Sequence, residues 1–186
     1  MYRPSQIILG ESGSGKTCLA KIFARDKVAR GLAVGILDPA FEEWPHGVML
    51  ATHRRADFLD WVARNYHLRK FLIIDESGTS VGKVDAHMDF LATTGRHLGA
   101  ASVFVAHRLE VLSRIVQSQS RTRWIFGCDP KDAKQLADSH SRPELLTAAD
   151  LPPLNFFRVA PFSPLMRGVI GFKRNQPFVR SLEVVK

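Results

Sequence analysis

Cysteine is scarce in this 186-residue chain: Cys18 and Cys128 are the only two, in unlike contexts and without a CxxC spacing. That argues against a disulfide framework and against a zinc site, and it suits a reducing, cytosolic compartment. Long hydrophobic runs are lacking, and none approaches the ~20 residues that cross a bilayer, so no transmembrane segment is expected. The apolar part of the N-terminal "MYRPSQIILGESG" is too short for a secretory signal. Internal repeats, low-complexity tracts and linkers are missing too, so residues 1–186 read as one domain with ample chain for a core. Acidic residues are also in short supply, 18 against 26 Lys and Arg, for a net charge of +8. The shortfall is uneven. Through residue 95 there are 12 basic and 11 acidic residues, and after it 14 and 7. A basic second half, rich in Arg, suits a polyanionic partner.

What is present alternates between two hydrophobic periods. "QIIL" (6–9), "AVGIL" (33–37), "FLIID" (71–75), "ASVFVA" (101–106) and "RWIFG" (123–127) read as short buried strands. Helical spacing is expected over 16–30, with Leu19, Ile22, Phe23 and Ala24 on one side, and over 54–64, with Phe58, Trp61 and Val62. It recurs over 84–97 (Val84, His87, Met88, Leu91), 108–116 and 131–139. Such alternation predicts an α/β fold with a mainly parallel sheet between helices. The pattern occupies about 5–140. From about 150, "NFFRVAP", "GVIGFKR" and "PFVRSLEVV" predict a small antiparallel β appendage. Trp44, Trp61 and Trp124 read as core or interface residues.

Between the first strand and the first helix lies "GESGSGKT", residues 10–17, which fits G-x-x-x-x-G-K-[ST] in the strand–loop–helix context that the pattern requires. Gly10, Gly13 and Gly15 allow a tight turn whose amides, with those of Glu11, Ser12, Ser14 and Cys18, point at phosphate oxygens, and the helix N-terminus adds its dipole. Lys16 is then expected at the β- and γ-phosphates and Thr17 on magnesium. "FLIIDE" supplies a strand ending in Asp75, a carboxylate that suits magnesium either directly or from the second shell, followed by Glu76 to polarise an attacking water. In a parallel sheet all strand C-termini share one edge. The fourth strand, which runs straight into His107 and Arg108, therefore delivers His107 beside Lys16 and Asp75, where it can sense a γ-phosphate.

Taken together, "GESGSGKT", "ILDP", "FLIIDE" and above all "TTGRHLGASVFVAHRLEVLSRIVQSQSRTRWIF" resemble the FtsK/HerA-like branch of P-loop motor ATPases, and within it the genome-packaging ATPases of tailless, membrane-containing double-stranded DNA viruses. The resemblance covers about residues 5–140 and implies a RecA-like core that binds ATP and Mg2+. It also implies double-stranded DNA as cargo, a homo-oligomeric ring (a hexamer is one expectation), capsid-vertex or packaging proteins as partners, and a place in the host cytoplasm or at the packaging vertex. The sensor position usually carries Gln or Asn; here it is His107, whose imidazole can make a similar hydrogen bond. Arg96, at a helix end before Gly99, matches a basic finger acting on a neighbouring subunit's ATP, with Arg123 as runner-up. Arg121, Arg142, Arg167 and Arg174 are the candidates for DNA contact on loops. Three alternatives stay open: a filamentous-phage assembly ATPase, a small-molecule kinase, and a non-hydrolysing nucleotide-binding assembly module.

Overall fold

A computed structural model describes residues 5–75 and 86–185, with residues 86–88, 96 and 98 described by their backbone alone. Among the described residues, nine strands form one sheet in the order β3-β2-β4-β5-β1-β6-β7-β8-β9. The strands are β1 (Gln6–Leu9), β2 (Ala33–Leu37), β3 (Leu50–Thr52), β4 (Lys70–Ile74), β5 (Ala100–Ala106), β6 (Thr122–Ile125), β7 (Asn155–Val159), β8 (Met166–Lys173) and β9 (Gln176–Val184). The helices are α1 (Lys16–Ala29), α2 (Arg55–Arg64), α3 (Ala86–Thr93), α4 (Arg114–Gln119) and α5 (Pro130–His140). Strands β1 to β6 pair in parallel, and β6 to β9 are antiparallel. The C-terminal strands thus continue the same sheet beyond β6.

Parallel strands buried on both faces must be apolar throughout, and the alternation of their side chains divides the core in two. Ile7, Leu9, Leu72, Ile74, Phe104 and Ala106 face a cluster that includes Phe58 of α2, Leu91 of α3, Val116 of α4 and Leu136 of α5. Ile8, Val34, Ile36, Phe71, Ile73, Val103 and Val105 face the other cluster, with Leu19, Ala20 and Ala24 of α1. Each of the larger side chains contributes roughly 1.5–3 kcal/mol on full burial. The three tryptophans take the packing roles expected of them. Trp61 packs against β2 where Gly35 leaves room for its ring, while the Trp44 and Trp124 indoles donate to Asp38 and Gln6.

Two expected helices are corrected. The 108–116 helix is broken: a 3-10 turn, Leu109–Val111, precedes extended residues, and α4 starts afresh at Arg114. The cause is capping, one part of it from a distant residue. Asp132 accepts from the Leu109 amide, and the Ser113 hydroxyl accepts from Val116 N and N-caps α4. The 84–97 helix runs only to Thr93 and gives way to a 3-10 turn, Gly95–Leu98, while Val84 lies outside the described residues. Arg167, expected on a loop, is the second residue of β8, held there by pairing with Phe157 and Glu183. Among the described residues no helix is long and apolar enough to cross a membrane.

Candidate active site

Strand polarity assembles the site. The loops after β1, β2, β4 and β5 all emerge at one edge of the sheet, and loop 10–17 lies at its centre. Its first residue is pinned to β5 by Gly10 N donating to Ala106 O (3.3 Å), and Glu11 N donates to Gly127 O (2.7 Å) beyond β6. On its far side Leu154 N donates to Ser14 O (2.8 Å). Two glycines are required here. Gly10 has φ +154°, and a Cβ on it would lie 2.7 Å from Phe126 Cβ; Gly15 has φ +111°, and its Cβ would lie 3.0 Å from Leu154 Cδ2.

Gly15 occupies the N-cap of α1, where no side chain caps the helix and no acidic residue sits in the first turn. The amides that begin α1 are therefore left for an anion. The Ser14 hydroxyl inside the loop is buried without a hydrogen-bond partner, a second sign that the loop is completed by something outside the protein.

Lys16 is buried, and its Nζ donates to Glu11 O (2.6 Å) and lies 3.3 Å from His107 Nδ1. Opposite an ammonium, that ring nitrogen must be the acceptor, which places the imidazole proton on Nε2. His107 does follow β5 into the cleft. Its neighbour Arg108 turns the other way, to Asp132 Oδ2 (3.0 Å) and Asp129 Oδ1 (3.4 Å) at the start of α5. These two carboxylates raise the Arg108 guanidinium above its ordinary pKa, although partial desolvation opposes them.

Thr17 Oγ1 donates to Asp75 Oδ2 (3.3 Å), and Asp75, which follows β4, is only 3% exposed. A hydroxyl beside a buried carboxylate is the donor set that a magnesium ion takes when phosphate and water oxygens complete its shell. Among the described residues no group of three or more His, Cys, Asp or Glu could hold a metal by itself. A site that shares its ligands with a phosphate needs none.

The remaining expected residues fall as follows. Glu11, Ser12 and Gly13 form the exposed crest of the loop, and Cys18 is half-buried in the cleft wall, where burial pushes its thiol above the ordinary value while Lys21 pulls it down. Glu76 lies outside the described residues. So does the Arg96 side chain; its backbone belongs to the 3-10 turn that enters β5, at the edge opposite the cleft. Arg123, on β6, lies at that same far edge.

The cleft has a volume of about 300 Å³. Its wall includes three residues to which sequence reasoning gave no role: Ala40, Glu42 and Leu154. Asp38 organises the first two. It is 3% exposed and accepts from Ala40 N (2.8 Å), Glu42 N (2.7 Å) and Trp44 Nε1 (2.9 Å), while Glu42 pairs with Lys21 of α1 at 2.7 Å. The "DP" that ends "ILDP" was the available signal. Leu154 arrives from a distant segment and carries no motif.

No protein-family model matches the chain, and no curated protein matches it. Solved structures do. The genome packaging NTPase B204 from Sulfolobus turreted icosahedral virus 2, in complex with AMPPCP, aligns with a TM-score of 0.71 at 18% identity over 90% of this chain and 98% of that one. VirB4 of Thermoanaerobacter pseudethanolicus aligns with a TM-score of 0.72 at 10% identity over 92% and 90%. The pCW3 conjugation coupling protein TcpA, with ATPgS, aligns with a TM-score of 0.68 at 15% identity over 96% of this chain and 61% of that one. At these identities the likeness establishes the fold alone, the mainly parallel sheet between helices that this chain shares with those structures.

Proposed function

We propose that the chain is an ATP-driven double-stranded DNA translocase that packages a viral genome into a procapsid. The observation that carries the reading is the convergence of Lys16, Thr17, Asp75 and His107 on one cleft beside an uncapped helix N-terminus. The B204 structure, a packaging NTPase that this chain matches almost end to end, supports the same reading.

The residues divide the work by position. The amides of loop 10–17 and of the start of α1 hold the phosphates. Lys16, released from Glu11 O and His107, turns to the β- and γ-oxygens. Thr17 and Asp75 would hold magnesium, which would supply neutralisation of the developing phosphate charge. Glu76 orients and deprotonates the attacking water. His107, freed of Lys16, reports the presence or loss of the γ-phosphate to β5.

Arg96 cannot reach its own cleft, because the seven residues of β5 separate the two ends. At about 3.3 Å per residue that is roughly 20 Å. It acts on the nucleotide of a neighbouring copy in a homo-oligomeric ring, with Arg123 of the same edge as the alternative. Net charge selects the cargo: the surplus of seven positive charges after residue 95 suits duplex DNA. Capsid-vertex proteins and the packaging vertex complete the expected setting.

The test is ATP turnover with and without duplex DNA, across salt concentrations. Magnesium-dependent turnover is expected, stimulated by DNA of any sequence, with stimulation fading steeply as salt rises. Glu76→Gln should keep nucleotide binding and lose at least ~100-fold in turnover. Turnover indifferent to DNA in every salt would overturn the translocase; nucleotide binding with no turnover would favour the non-hydrolysing module.

A further inference from the structure

At the end of β6 remote from the nucleotide cleft lies a second recess, of about 630 Å³, among the start of β6, the C-terminus of α5 and residues 160–165. Its walls carry Arg121, Arg123, His140 and Arg142. No acidic residue lines it among the described residues. Arg123 pairs with Val159 of β7 across the sheet, and its neighbour Thr122 pairs with Gln6 at the start of β1. The recess and loop 10–17 therefore occupy opposite edges.

Three polar atoms in this recess are buried without any hydrogen-bond partner: Ser120 Oγ, Arg123 Nε and His140 Nε2. An unpaired buried polar atom costs about 1–3 kcal/mol, and natural proteins keep few of them. Here all three belong to residues that line one cavity, together with three guanidinium groups. Among the described residues the Arg123 guanidinium makes one hydrogen bond, from Nη2 to Gln117 O at 3.2 Å. The remaining donors point to an occupant that accepts many hydrogen bonds and carries at least two negative charges. A carboxylate, with one charge and two oxygens, leaves most of these groups unmatched; a terminal phosphate, with two charges and three free oxygens, matches them. The phosphodiesters of a duplex are monoanionic and lie on a convex surface, so they fit a recess with buried donors less well.

We propose that this recess is a second oxyanion site, which takes a terminal phosphate through Arg123, Arg142, His140 and Ser120. It stands on the recess alone and does not depend on the chemistry of the nucleotide cleft. A terminal phosphate reaches it either as free inorganic phosphate or as the end of a nucleotide borne by another molecule, because the chain's own cleft is at the other edge.

The site has a spectroscopic reporter. Burial, with Arg123 and Arg142 alongside, pushes His140 down to about 4, so the ring is neutral near pH 7 when the recess is empty. The charged groups facing it are Arg121 and Arg123 from β6 and its approach and Arg142 beyond α5; residues 160–165 and the Gln117 and Ser118 side bring no charge. A dianion among them offsets most of the local positive charge and raises the His140 pKa.

The experiment uses the full chain with its cleft saturated by ADP. Sulfate, inorganic phosphate and chloride are titrated at constant ionic strength, with calorimetry for affinity and NMR for the His140 ring. Sulfate stays dianionic across the range, which separates its binding from its own titration. Saturable binding of sulfate and phosphate but not chloride is expected, with the His140 pKa moving upward on binding. Arg142→Gln, at a half-buried position outside the core, should weaken binding at least ~10-fold while the fold survives, as removal of one charged hydrogen-bond donor implies. Arg123→Gln should abolish binding, and if that chain unfolds, Arg142→Gln and His140→Asn carry the test. Sulfate no more effective than chloride, or binding indifferent to both Arg142→Gln and His140→Asn, would overturn the site. A short duplex without terminal phosphates that displaces sulfate would overturn the terminal-phosphate assignment in favour of the DNA backbone. Added ATP or ADP that displaces sulfate, against a duplex that does not, would identify the nucleotide as a source.

Discussion

Replacing Asp38 by alanine should loosen the wall of the nucleotide cleft without touching loop 10–17. The carboxylate is 3% exposed and receives three donors at 2.7–2.9 Å, from Ala40 N, Glu42 N and Trp44 Nε1. Hydrogen bonds to a charged group are each worth about 1.5–3 kcal/mol. Residues 40–42 are exposed, so water recovers part of that loss, and a total of about 2–4 kcal/mol is the reasonable expectation. For a chain of this size each kcal/mol moves Tm by ~2–4 °C, which predicts a fall of roughly 4–15 °C in a calorimetric melt. Asp38→Asn keeps one acceptor oxygen and should lose about half as much. Nucleotide affinity should fall as well, because Ala40 and Glu42 line the cleft and would have to be re-ordered on binding. Re-ordering one or two side chains costs ~0.5–1.5 kcal/mol each, or about 3- to 10-fold in Kd. The environment of Trp44 should change together with the melt, which fluorescence reads directly. A Tm drop below about 2 °C for Asp38→Ala, with nucleotide affinity unchanged, would refute the role given to Asp38.

Two further predictions concern the cleft and its opposite edge. His107→Ala should reduce turnover, or uncouple it from DNA, with the fold intact, whereas His107→Gln should restore much of it because an amide oxygen can take the Lys16 ammonium as Nδ1 does; equal defects in both variants, measured by steady-state kinetics, would remove His107 from the reaction. Arg96→Ala and Glu76→Gln subunits, each nearly inactive alone, should partly recover ATP hydrolysis when mixed, and normal hydrolysis by assembled Arg96→Ala protein would move the finger to Arg123.

Legibility in the sequence followed the range of the forces involved. The edges of β1 and β2 were readable to the residue because each is an unbroken apolar run closed by Gly10 or Asp38. β4 begins one residue earlier than its apolar run, at Lys70, because that ammonium is buried and caps the end of α2 by donating to Asn65 O and Leu68 O. Hydropathy cannot anticipate a lysine used in this way. The broken 108–116 segment failed for a similar reason: Asp132, more than twenty residues away, takes the Leu109 amide and Arg108 together. The edge strand β3, three residues long, has too little pattern to read. At the site, Lys16, Thr17 and Asp75 were legible because their chemistry dictates residue type and spacing. Leu154 and the second recess were not, because they are made by tertiary contacts between segments distant in the chain.

The polarity of the parallel strands also sorts the chemistry of the whole molecule. Loop 10–17, Asp75 and His107 all follow strand C-termini and share one edge, whereas residue 96, Arg121 and Arg123 lie at strand N-termini and share the other. No rearrangement short of unfolding brings the two edges of one sheet together. A reaction that needs both a phosphate-holding loop and an arginine from the far edge must therefore take them from different copies, stacked so that one molecule's nucleotide edge meets the next molecule's basic edge. Such a contact uses two different surfaces, so it is heterologous, and it closes into a ring if the rotation per copy divides a full turn. Hydrolysis would then depend on assembly as a direct consequence of strand direction.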